Sequence, residues 1–91
     1  MASEKSIEKK LVETVKAKGG WCIKLLPFVL NGLPDRLCLM PGGVCIFVET
    51  KATKLKAEKL QNVIHKKLKK LGFTVVVLDS IEKIENLFLF Y

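Results

Sequence analysis

The chain has 91 residues, enough for one small domain, so residues 1–91 are read as a single unit. No apolar run approaches the roughly 18 residues that a bilayer-spanning helix needs, and Met1-Ala2-Ser3-Glu4-Lys5 lacks the apolar core of a signal peptide. A formal charge of +7 on a chain that is 49% hydrophobic points to polyanionic partners, nucleic acid first, and to self-association.

Residues 3–18 predict a helix. Ile7, Leu11, Val12 and Val15 form its apolar stripe, Ser3 or Ser6 is the N-cap, and Gly19-Gly20 is the stop. Glu8 borders that stripe, whereas Glu13 points elsewhere. A carboxylate in that position either snorkels to water or is aimed into a site. Residues 21–30 predict a first strand interrupted by Pro27, and Asn31-Gly32 a turn that returns the chain to the sheet at Asp35.

Two apolar runs flank Pro41-Gly42-Gly43, which has the length and the glycines of a hairpin loop. Folding on that loop sets Met40 opposite Val44, Leu39 opposite Cys45, Leu37 opposite Phe47, and Asp35 opposite Glu49. Opposed side chains have Cβ atoms roughly 4.5–5.5 Å apart, so two carboxylates meet at the open end of an apolar hairpin. Like charges so placed repel, and a hard divalent cation would offset them. Lys51, two residues past Glu49, shares its face. The competing reading is an ordinary turn aspartate and a charged strand end. Both faces of the hairpin are apolar, which calls for helices on at least one side and a partner on the other. Cys22, Cys38 and Cys45 are odd in number and lack metal-type spacing, so they read as reduced thiols in a cytoplasmic setting.

Residues 54–71 predict a second helix, with Leu60, Val63, Ile64, Leu68 and Leu71 as its stripe and Gly72 as its stop. The opposite face carries Lys56, Lys59, Lys66, Lys67, Lys69 and Lys70, either solvated or facing phosphates. Arg36 is the only arginine. Lysine is a point charge suited to phosphate contact rather than two-pronged base reading, which argues against sequence-specific DNA recognition. Gln61 lies beside the stripe, within reach of the hairpin's open end. His65, the only histidine, excludes two-histidine zinc sites, and on this lysine-rich segment it reads as exposed. Residues 73–78 predict a β-branched strand, parallel to the second hairpin strand through a right-handed βαβ crossover. Asp79-Ser80-Ile81-Glu82 opens a last helix. The apolar end, Leu87-Phe88-Leu89-Phe90-Tyr91, is expected to pack on the core or across a dimer interface.

The order helix, three strands, helix, strand carries Glu8, Gly32-Leu33-Pro34-Asp35, Gly42-Gly43, Glu49-Thr50-Lys51 and Gln61 in turn. In this it resembles the PD-(D/E)xK nuclease superfamily and, within it, the virus-type replication-repair nuclease (VRR-NUC) domain, over residues 4–80. The resemblance implies an α/β, restriction-endonuclease-like core, αβββαβ, with a mixed sheet flanked by helices. It implies a metal-dependent endonuclease in which Asp35, Glu49, the Thr50 carbonyl and Glu8 (or Glu4, one turn earlier) hold one or two magnesium or manganese ions. Lys51 would orient or help deprotonate the attacking water, and Gln61 would position that water or Lys51. Lys54, Lys56, Lys66 and Lys67 are the candidate contacts to nucleic acid. The family usually has an aliphatic residue where this chain has Thr50, and the Thr50 side chain is expected to point away from the site. The resemblance also implies a homodimer cutting branched DNA such as four-way (Holliday) junctions, in the host cytoplasm if phage-encoded. The alternative from another class is a non-catalytic, basic, nucleic-acid-binding dimer of the same fold.

Overall fold

The computed structural model describes residues 2–26, 30–52 and 58–91. Helix α1 spans Glu4–Ala17, and Ser3 is its N-cap, accepting the Ser6 amide at 3.2 Å. Strand β1 is Trp21–Lys24, shorter than residues 21–30; Pro27 lies outside the described residues. Strands β2 (Arg36–Met40) and β3 (Val44–Thr50) form the expected hairpin. Met40 faces Val44, Leu39 faces Cys45 and Leu37 faces Phe47, while Arg36 and Val48 close the ladder. Helix α2 (Lys59–Lys70), strand β4 (Thr74–Leu78) and helix α3 (Ile81–Leu87) complete the described elements. The sheet order is β1-β2-β3-β4, antiparallel except for the parallel β3–β4 pair. This is the mixed sheet flanked by helices that the element order implies.

The two faces of the hairpin have different fates. Cys38, Met40, Ile46 and Val48 form a closed core with Ile7, Leu11 and Val15 of α1, Leu78 of β4, and Ile84 and Phe88 at the α3 end. The other face, with Leu37, Leu39, Cys45 and Phe47, is only half-buried. Phe47 is met there by Phe73, edge to face at 5.6 Å between centroids. Cys22 and Cys38 oppose each other across β1 and β2 with sulfurs 3.8 Å apart, and all three cysteines are free thiols.

Helix α2 departs from its sequence pattern. Residues 53–57 lie outside the described residues, and the helix begins at Lys59 behind Glu58, which forms a capping box with Gln61. The expected stripe is largely outside: Leu60, Val63 and Leu71 are exposed, Leu71 by 74%. His65, expected to be exposed, is instead the buried residue of this helix at 5% exposure. The covered face runs through Gln61, Ile64, His65 and Leu68. Tertiary placement rather than apolar periodicity sets which side turns inward. The last helix opens within Asp79-Ser80-Ile81-Glu82 as expected, with Ser80 as its N-cap accepting the Lys83 amide at 3.1 Å. Of the C-terminal residues, Phe88 packs in the core and Tyr91 lies against its ring, whereas Leu89 and Phe90 are exposed.

Gly32 locks the turn before Pro34-Asp35 against α2. Its φ is +87°, and a Cβ there would sit 2.9 Å from the Leu60 carbonyl oxygen and 3.0 Å from the Ile64 side chain. Gly43 has a similar φ of +80° but open space around it. Left-handed backbone costs a non-glycine residue roughly 1–3 kcal/mol, and a clash with helix backbone adds to that. Gly32→Ala is therefore expected to lower the urea midpoint clearly more than Gly43→Ala does; equal shifts would mean that the turn does not press on α2.

Candidate active site

The site is assembled where the β2–β3 ladder runs out. Pro34 is buried, and Asp35 occupies the bend just before β2, its carbonyl accepting the Leu25 amide at 2.8 Å. The register places its backbone opposite Glu49, one step beyond the Arg36–Val48 pair. The carboxylate is gripped by Thr50, whose amide donates to Oδ1 at 3.2 Å and whose hydroxyl donates to Oδ2 at 2.7 Å. The expectation that the Thr50 side chain points away from the site is thus corrected. Asp35 lies outside the pleated ladder, so its side chain reaches the last β3 residue instead of obeying strict alternation.

Glu49 is 4% exposed. Its Oε2 is 3.6 Å from the Lys51 ammonium, and its Oε1 is buried with no hydrogen-bond partner among the described residues. Burial first, and the Asp35 charge second, push its pKa up to about 7, against the pull of Lys51 and Gln61. Burial also raises the pKa of Asp35, opposed by the two Thr50 donors. The Gln61 oxygen accepts the Glu58 amide at 2.8 Å, and the same side chain lies close enough to Glu49 to favour its charged form. Asp35, Glu49 and Gln61 line one hollow of about 320 Å³ with Gly32, Leu33, Leu25 and Lys24, and both Glu4 and Glu8 reach its rim.

Glu8 is not drawn in beside Asp35 and Glu49 as a third arm. Its Oε1 is 2.5 Å from the Arg36 guanidinium, and both side chains are largely buried. Among the described residues, no group of three or more His, Cys, Asp or Glu side chains is set as a ready-made cage for an ion. The donor set still suits a hard cation: two carboxylates lining one hollow, with one buried oxygen of Glu49 that has no partner among the described residues. Arg36 is a site neighbour that the motifs do not announce. The signal was parity: one residue past Asp35, it falls on the face packed by α1, where Glu8 borders the helix stripe.

One turn past Gln61, His65 is buried with Nε2 unpartnered among the described residues. Burial first, then Lys69 and Lys51, hold its pKa below the usual imidazole value. Lys66 and Lys67 are exposed on α2, whereas Lys54 and Lys56 lie outside the described residues.

No protein-family model matches the chain. It is 46% identical over 77 residues to "Putative nuclease p44" of Acyrthosiphon pisum secondary endosymbiont phage 1, an alignment covering 85% of this chain and 83% of that protein. A solved structure described as "VRR_NUC domain" superposes with a TM-score of 0.89 at 32% identity, covering 99% of each chain.

The raised pKa of Glu49 has a signed consequence. Unfolded, the carboxyl ionises near its ordinary 4.5; folded, only near 7. Between those values the folded state binds more protons, so metal-free stability falls as pH rises and has lost about 3 kcal/mol above pH 7. Glu49→Gln removes that loss. In EDTA, the variant should gain stability over the parent at pH 8 but not at pH 4, by urea denaturation. A difference that does not vary with pH would refute the shift.

Proposed function

Because the chain belongs to the VRR-NUC nuclease family, we propose that it is a magnesium- or manganese-dependent DNA endonuclease that cuts branched DNA such as four-way junctions as a homodimer. The observation that carries this reading is the meeting of Asp35, Glu49 and Lys51 at one end of the sheet, with a buried Glu49 oxygen unpartnered among the described residues. Asp35, Glu49 and the Thr50 carbonyl are the proposed ligands. Glu8, one of whose oxygens contacts Arg36, is the further candidate ligand.

A divalent ion at this position supplies Lewis acidity, polarising a phosphoryl oxygen and acidifying a bound water. The chain's own groups do the rest. Lys51, 3.6 Å from Glu49, orients the attacking water and offsets charge growing on the phosphoryl oxygens. Gln61, its oxygen engaged by the helix cap, offers its amide donors to the site. Lys66 and Lys67, with Lys54 and Lys56 ahead of them in sequence, contact backbone phosphates. Leu60, Val63, Leu71 and Phe73 are exposed along α2 and its exit, and we assign that apolar strip to a second copy. A two-fold dimer presents two such sites to a two-fold junction. The free thiols suit the cytoplasm of a host cell.

The rival is a non-catalytic binder of the same fold, favoured by one observation, the Glu8 carboxylate tied to Arg36. Cleavage separates the two. With magnesium, the protein should cut a synthetic four-way junction faster than matched duplex. Asp35→Ala and Lys51→Ala should each reduce cutting by at least a hundredfold while junction binding stays within a few-fold. Binding without cutting under either magnesium or manganese would sink the enzyme reading.

A further inference from the structure

Thr50 is fully buried, and it directs two donors at one carboxylate. An aspartate carboxyl turns easily about its last torsion, so a single hydrogen bond would leave its plane loosely set. Here each oxygen has its own donor, the amide at 3.2 Å and the hydroxyl at 2.7 Å, and both donors belong to one residue at the end of β3. Each carboxylate oxygen accepts two hydrogen bonds or ligand contacts; one apiece to Thr50 leaves one apiece for something in the hollow. Threonine is also stiff at χ1 because it branches at Cβ. A valine of the same shape would fill the same space but would leave Oδ2 without its donor.

We propose that the Thr50 hydroxyl is a positioning group for the metal site: it fixes the plane of the Asp35 carboxylate so that its free lone pairs face the ion. This rests on the metal-dependent reading above. One residue then serves the site twice, holding an aspartate ligand with its side chain and amide while its carbonyl is offered to the ion. The chain's departure from the aliphatic residue usual at this position acquires a physical role.

The test is manganese affinity, measured by titration calorimetry at fixed pH on the full chain, with melting temperatures recorded alongside. Outer contacts that orient a ligand are worth on the order of 10–100-fold in metal affinity. Thr50→Val should weaken manganese binding about tenfold, Thr50→Ser should recover most of the loss, and Thr50→Val should cost nothing further in an Asp35→Asn background. If the valine variant does not fold, Thr50→Ala against Thr50→Ser replaces it, since those two differ only by the hydroxyl. A hydroxyl that merely satisfies itself in the core would lower the melting temperature but leave affinity unchanged. That result, or an equal loss in the Asp35→Asn background, overturns the proposal. Parent protein that binds manganese no better than Asp35→Asn overturns the metal reading and this inference with it; parent binding that survives in Thr50→Val overturns this inference alone.

Discussion

The register of the β2–β3 hairpin is the constraint on which the rest depends. Side chains alternate across a strand, so a slip of one residue would carry Glu49 and Lys51 to the α1 face and push Ile46 and Val48 out of the core. The packing of Cys38, Met40, Ile46 and Val48 under α1 therefore also fixes the chemistry of the opposite face. Burial energy of about 25 cal/mol per Å² on the apolar side holds two carboxylates close together on a backbone that would otherwise separate them. The hairpin loop and the clamp between Gly32 and α2 set the two ends of that arrangement.

Each acidic group at this end of the sheet has been given a different partner. Glu8 has a guanidinium, Asp35 a buried hydroxyl and an amide, and Glu49 an ammonium on one oxygen and, among the described residues, nothing on the other. The three carboxyls are consequently not equivalent. Glu8 is neutralised within the fold and belongs to the wall. Asp35 is held in orientation by neutral donors that leave its charge uncompensated. Glu49 carries the strain, being buried beside a like charge, with its pKa lifted to about 7 as a result. A cation bound there would relieve desolvation and repulsion together, which is why we propose this end of the molecule, and not the exposed lysine face, as its chemical centre.

Features that are local in sequence were legible before the structure. Gly-rich punctuation and period-two alternation gave the hairpin register pair by pair, and the helical period gave α1 with its buried Ile7, Leu11 and Val15. The parallel β3–β4 pair followed from chain order alone. What escaped depends on how elements meet. His65 is buried, and Leu60 and Val63 are exposed, because α2 turns its mixed Gln61–Ile64–His65–Leu68 face to the sheet. The Thr50 hydroxyl engages the site because Asp35 sits outside the ladder, where alternation gives no guidance. The Arg36–Glu8 pair joins residues 28 apart in sequence, and its only sequence-level trace was shared parity.

The central claim is that Asp35 and Glu49 receive one cation between them. Crystals grown with manganese, measured at an energy where that metal scatters anomalously, test it most directly. The account predicts an anomalous peak at the open end of the hairpin, bonded to an oxygen of Asp35 and an oxygen of Glu49, with Lys51 alongside. Saturating manganese with no peak there, or with its peak elsewhere on the chain, would contradict it.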